Sequence, residues 1–262
     1  MVRSLRIDRC GCTLSPGPEG KNEIPVQTNG RRRGVIMDIH LLAMKVAQTL
    51  RQDGLRLTFR KALTSFQHNT ARNEFDLKYG TATGGTTPLW KCQITSPNRC
   101  FGVRYQATDE QELVDAVNSL RESLETFSFI DLGCGKGRTL VVAANLGFGR
   151  VIGVEFAREL VEIAKENLAR KSIANGDVVH TDAALYPFPK GDLVVYLYNP
   201  FSKEVMQKVI VRLRESGARN LYVIYNNPKC AEVFDSSGFL SRFGCPPQRP
   251  NIQIWKGACN QD

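Results

Sequence analysis

The sequence predicts an α/β fold: a doubly wound, mostly parallel sheet with helices on both faces, preceded by a helical N-terminal extension. Three observations carry that expectation. From Thr126 onward, short apolar runs alternate with stretches of helical periodicity. The runs are near-continuously apolar, as in Leu193-Val194-Val195-Tyr196-Leu197, which suits strands covered on both faces. The first of them, Phe129-Ile130-Asp131, leads into a turn with glycines at alternate positions (Gly133, Gly135, Gly137), and helical sequence follows. Such glycines permit positive φ and close approach of a ligand, and the new helix offers its free N–H groups to that ligand.

Taken in order, residues 1–34 are rich in Gly, Pro, Arg and small polar residues and read as a disordered basic tail. Residues 35–106 read as a helical extension and a lid-like loop. Ile36, Ile39, Leu42, Ala43, Val46, Ala47 and Leu50 recur at spacings of three and four, one face of a helix over about 35–51. A weaker helical stretch covers 57–66. Residues 80–106 carry Gly80, Gly84, Gly85, Pro88 and Pro97, with four threonines between 81 and 87, and a loop this long suggests a function. Residues 107–262 form the main domain. Thr108 with Gln111 three residues on has capping-box spacing, so a helix is expected to open there. Strands are expected at 127–131, 150–155, 177–181, 192–198, 220–225 and 251–256, with a short one near 239–243. Helices are expected at 137–147, 157–172, 202–216 and 228–236. No long helix separates the last two strands, which permits them to pair antiparallel.

Composition narrows the classes of function. The net charge of +9 is uneven: residues 1–106 hold 17 Lys/Arg against 7 Asp/Glu, and residues 107–262 hold 18 against 19. The basic part is the extension, where an acidic partner is one reading and a solvated tail the other. No run approaches the ~18 apolar residues of a membrane span, and no apolar segment at the N-terminus suggests secretion. The eight cysteines form no C-x-x-C pair and only three histidines are present, so no metal site is expected. Reduced thiols in a cytoplasmic protein are the plain expectation.

The glycine turn points to a nucleotide-type cofactor. Dinucleotide sites usually read G-x-G-x-x-G with the pyrophosphate on the helix N-terminus. Here the spacing is G-x-G-x-G, and Asp131 stands two residues before the first glycine, where it would repel a pyrophosphate. It suits a ligand with an ammonium group and no phosphate, such as S-adenosylmethionine. A second strand ends on Glu155, 22 residues after Gly133, placed for a ribose hydroxyl pair.

Asp131-Leu132-Gly133-Cys134-Gly135-Lys136-Gly137 resembles motif I of the class I S-adenosylmethionine-dependent methyltransferases, and Val154-Glu155 resembles the acidic end of their second strand. The likeness covers about residues 107–258 and implies a seven-stranded sheet. It implies that Asp182, after the strand at 177–181, accepts a hydrogen bond from the adenine amino group. Tyr198-Asn199-Pro200-Phe201 resembles the Asn/Asp-Pro-Pro-Tyr/Phe motif of methyltransferases acting on amino or amide nitrogens, less one proline. That resemblance implies catalytic roles for Asn199, Pro200 and Phe201. Phe75-Asp76, Tyr79-Gly80, Thr83, Ser96-Pro97-Asn98 and Gly102-Val103-Arg104-Tyr105 extend the likeness to an uncharacterised, mostly bacterial group of class I methyltransferases. In such enzymes a tyrosine before the domain reaches the cofactor, which singles out Tyr105.

The expected activity is methyl transfer to an amino or amide nitrogen of a protein or small molecule. Alternatives are O-methylation of a small molecule and a non-catalytic binding module working through its basic N-terminal surface. The acceptor itself is not specified by these residues.

Overall fold

The computed structural model describes residue 47 and residues 74–89, 92–98, 105–198 and 200–258. The expected tail at 1–34, the helix at 57–66, all but one residue of that at 35–51, and Asn199 lie outside the described residues.

A short helix α1 (Glu74–Tyr79) precedes the loop region, and α2 (Glu110–Asn118) leads into the main domain. The alternating part comprises β1 (Phe127–Leu132), α3 (Arg138–Asn145), β2 (Arg150–Glu155), α4 (Arg158–Arg170), β3 (Gly176–His180) and β4 (Gly191–Tyr198). It continues with α5 (Lys203–Glu215), β5 (Ala218–Asn226), α6 (Ala231–Asp235), β6 (Leu240–Gly244) and β7 (Ile252–Gly257).

The strands form one sheet in the order β3-β2-β1-β4-β5-β7-β6. β1 pairs in parallel with both β2 and β4, while β7 runs antiparallel between β5 and β6. The final two strands therefore do pair antiparallel. The chain leaves β1 toward one edge and returns at β4 to build the other, so strand order reverses beside β1. That reversal opens a crevice at the carboxyl ends of the strands.

Both sheet faces are buried, which explains the unbroken apolar runs. Phe129, Val194, Tyr196 and Ile224 pack on one face against Leu113 and Val117 of α2, Leu140 of α3 and Ala164 of α4. Ile130, Val195, Leu197 and Val223 point the other way, against Val205, Val209 and Leu213 of α5 and Phe234 of α6. Alternate residues of one strand thus feed two cores. The outermost strands are less covered: β6 buries only Leu240 and β3 only Val178.

The helix expected to open at Thr108 starts one residue later. Asp109 is the N-cap, and its carboxylate accepts from the backbone N–H of Gln111 and Glu112. Thr108 is engaged elsewhere: its carbonyl accepts from Arg138 and its hydroxyl from Tyr196.

Candidate active site

Three consecutive left-handed turns shape the glycine loop. φ is +85° at Gly133, +55° at Gly135 and +79° at Gly137, the residue that caps α3. Side chains rarely adopt these angles, which accounts for glycine at every second position. The N–H groups of Gly133 and Cys134 both donate to the Val154 carbonyl, 2.8 and 3.2 Å away, tying the loop to β2.

The two acids flanking this loop are buried. Asp131, at the end of β1, accepts a short hydrogen bond from the Thr139 hydroxyl. Burial pushes its pKa up to about 7, with the charge of Glu155 adding to the rise and the Thr139 bond opposing it. Glu155 is pushed up to about 7 by burial, against the pull of three backbone donors. Those donors are Gly135 N–H at 3.0 Å on one oxygen, and Phe156 and Ala157 N–H at 3.0 and 2.9 Å on the other. Glu155 therefore holds the glycine loop to the end of β2, beside the crevice-lining Val154 and Phe156.

Asp182 follows β3, caps a short 3₁₀ turn by accepting from Ala184 N–H, and lines the crevice with Gly133, Val154, Phe156 and Phe201. The crevice encloses about 270 Å³ and opens to solvent. Pro200 and Phe201 reach the cofactor loop from β4: a Cβ built on Gly133 would lie 2.9 Å from Pro200 Cβ and 3.8 Å from Phe201 Cζ. The β1–β4 pairing produces this juxtaposition, since Leu132 stands opposite Leu197. Asn199, between these residues, is not described.

Tyr105 lies directly on the loop. A Cβ at Gly135 would fall 2.1 Å from its ring, and its hydroxyl donates to the Thr83 carbonyl at 2.7 Å. The expected cofactor-binding residues Asp131, Gly133, Gly135, Gly137, Glu155, Asp182 and Tyr105 are thus gathered around one loop and one crevice.

Asp76 and Thr83, which the wider likeness included without a role, join this neighbourhood with Arg138, Asn167 and Lys136. Asp76 of α1 is buried and accepts from the Thr81 and Thr83 hydroxyls and from the N–H groups of Thr83 and Gly84, all within 2.8 Å. Burial raises its pKa, but these donors outweigh it and hold the carboxyl below the usual range. Arg138 is buried as well: Nε donates to Thr83 Oγ1 at 2.9 Å, and the guanidinium lies 4.4 Å from the centre of the Phe75 ring. Asn167 of α4 accepts from Ala82 N–H and donates to the Lys136 carbonyl. Lys136 turns inward, donating to the Gly84 carbonyl at 2.6 Å over the Tyr105 ring, and desolvation lowers its pKa. The residues preceding the main domain are therefore fastened to the cofactor loop by a polar network. Asn226, at the end of β5, is fully buried and bonded to Glu112, Tyr196 and Asn251, so it supports the crevice wall.

The residues fit S-adenosylmethionine by their chemistry. An acid and a glycine loop suit the ammonium end, and Glu155 and Asp182 suit ribose and adenine donors. A seven-stranded sheet in this order with such a loop at its reversal defines the class I methyltransferase fold. Residues 129–217 match the family described as a methyltransferase domain. Residues 129–217 thus resemble a methyltransferase domain, with a crevice whose residues suit S-adenosylmethionine.

Similar proteins include a ribosomal protein L11 methyltransferase of Pelobacter propionicus, 31% identical over 126 residues, which cover 46% of this chain and 40% of that protein. A demethylmenaquinone methyltransferase of Lactococcus lactis is 31% identical over 112 residues, 40% of this chain and 44% of the relative. The chain thus spans well under two thirds of these relatives' lengths. Among solved structures, a ribosomal protein L11 methylase from Lactobacillus delbrueckii aligns at a TM-score of 0.41 and 16% identity, covering 58% of this chain and 80% of that one. Magnesium protoporphyrin IX methyltransferase from Synechocystis, with bound SAM, aligns at 0.43 and 19% identity, covering 58% and 79%.

Proposed function

We propose that the chain transfers the methyl group of S-adenosylmethionine to an amino or amide nitrogen of a protein or small molecule. The contact of Pro200 and Phe201 with Gly133 supports this reading most directly, because it sets the nitrogen-type motif beside the cofactor loop. Displacement at a sulfonium needs alignment more than acid–base chemistry. Asp131 would hold the ammonium end, Glu155 the ribose and Asp182 the adenine amino group. The Phe201 ring would pack on a planar acceptor group, and Asn199 would accept a hydrogen bond from the target nitrogen. His180, the one histidine among the described residues, has Nε2 3.2 Å from the Phe156 carbonyl and does not line the crevice, which argues against it as a general base for O-methylation. Among the described residues no helix is long and apolar enough to cross a membrane.

Calorimetric titration with S-adenosylmethionine, S-adenosylhomocysteine and NADH tests the cofactor assignment. The first two are expected to bind at micromolar levels and the third not at all; binding of NADH alone would overturn it. Incubating the protein with a cell extract and methyl-labelled cofactor then tests the acceptor class. Label that survives mild base fits nitrogen, whereas base-labile label means a carboxyl ester. Asn199→Ala is expected to retain S-adenosylhomocysteine binding and lose transfer. Full transfer by that variant would remove Asn199 from the mechanism.

A further inference from the structure

We propose that residues 93–98 form a latch that closes the adenine end of the crevice, and that Ser96 and Asn98 set how readily cofactor enters. The inference rests on the assignment of Asp182 to the adenine amino group. In the structure, one oxygen of Asp182 accepts hydrogen bonds from the Ser96 hydroxyl and from Asn98 Nδ2, the latter at 2.8 Å. The other accepts from Ala184 N–H. The pair on the latch is braced internally, since Asn98 N–H donates to Ser96 Oγ at 3.0 Å. The adenine amino group is itself an N–H donor. It satisfies Asp182 in the same way as the latch residues, so the two compete for one carboxylate oxygen.

The rest of the segment is seated over the same site. Gln93 N–H donates to both carboxylate oxygens of Glu159 at 2.9 Å. Leu89, Cys92, Ile94 and Tyr105 pack on Ala157 and Leu160, just beyond the end of β2 that carries Glu155. Asn98 itself lines the crevice. Pockets that engulf a drug-sized ligand usually offer ~300–1,000 Å³. With Asn98 in its lining, the crevice stays below that range even when the space open to solvent is counted, about 270 Å³. Cofactor therefore enters when the latch leaves Asp182, and its apparent affinity is reduced by the fraction of molecules with the latch closed.

The test compares binding of S-adenosylhomocysteine to the full chain and to Ser96→Ala/Asn98→Ala, by calorimetry and stopped-flow fluorescence. Removing two donors to a carboxylate shifts the latch toward open, and about tenfold tighter binding with faster association is expected. Glu159→Gln, which weakens the Gln93 anchor, is expected to shift affinity in the same direction by less. Asp182→Ala should weaken binding, because it removes the adenine contact itself. Unchanged or weaker binding by the double variant, with the wild type binding normally, overturns the latch and leaves the cofactor assignment standing. Failure of the wild type and every variant to bind overturns the cofactor assignment and the latch with it.

Discussion

Replacing Gly135 by alanine isolates the packing of Tyr105 on the cofactor loop. The added Cβ would lie 2.1 Å from Tyr105 Cδ2 and 2.3 Å from Cε2, and φ at this position is +55°. A methyl group in a left-handed conformation costs ~1 kcal/mol or somewhat more. Relieving the clash means moving a ring that is 9% exposed. That forfeits ~3 kcal/mol of burial and ~1 kcal/mol for the hydroxyl bond to Thr83. Gly135→Ala should therefore cost roughly 4–5 kcal/mol. Tyr105→Ala removes the same ring and should cost about 4 kcal/mol. The double variant keeps only the extra backbone strain, so its cost should be about 5 kcal/mol and not the sum of ~9. Urea denaturation of the four proteins measures this cycle. A coupling smaller than ~1 kcal/mol would refute the claim that Tyr105 is the neighbour that keeps alanine out of the loop.

Four further outcomes follow from the same geometry. Asp131 and Glu155 are both pushed up to about 7, so the folded state holds their protons more tightly than the unfolded chain. Their contribution is fully present below the ordinary carboxylate range and is lost as pH rises toward 7. The unfolding free energy of ligand-free protein, and with it Tm, should fall between about pH 5 and pH 7, the former by up to ~1.4 kcal/mol per pH unit per group, and Asp131→Asn should flatten that fall. S-adenosylhomocysteine binding should tighten over the same interval, because its ammonium group favours ionised Asp131. Asp76→Ala strands the hydroxyls and N–H groups that Asp76 receives, and should destabilise by ~3 kcal/mol. Hydrogen exchange should then quicken at Thr83 and Gly84 before it does in β1. Gly153→Ala, in β2, would set its Cβ 2.6 Å from Cys134 Sγ and 2.7 Å from Leu140 Cδ1. A loss of about 1–3 kcal/mol in chemical denaturation is expected.

Much of the fold was legible because the signals are local and periodic. The central strands were visible as apolar runs, since residues such as Leu193–Leu197 alternate between two buried faces, whereas the edge strand β6, Leu240–Gly244, offered only a short candidate. The glycine loop was visible because positive φ at 133, 135 and 137 leaves few other residue choices. The start of α2 was misplaced by one residue because Thr108 and Asp109 are both capping types. Only the tertiary partners Arg138 and Tyr196, which engage Thr108, leave the cap to Asp109.

By itself, then, the sequence determined the order of elements, the acid-preceded glycine turn and the residue types at the crevice. These depend on backbone conformation and side-chain polarity, which each residue carries with it. The tertiary structure alone decided that β7 inserts between β5 and β6, a choice of pairing partner that no short segment encodes. It alone decided that Asp76, Thr83, Arg138 and Asn167 join into one network. It alone set Ser96 and Asn98 on Asp182, 86 and 84 residues away along the chain. Contacts at such separations follow from how whole elements pack, and burial then turns ordinary polar residues into partners that cannot be left unpaired.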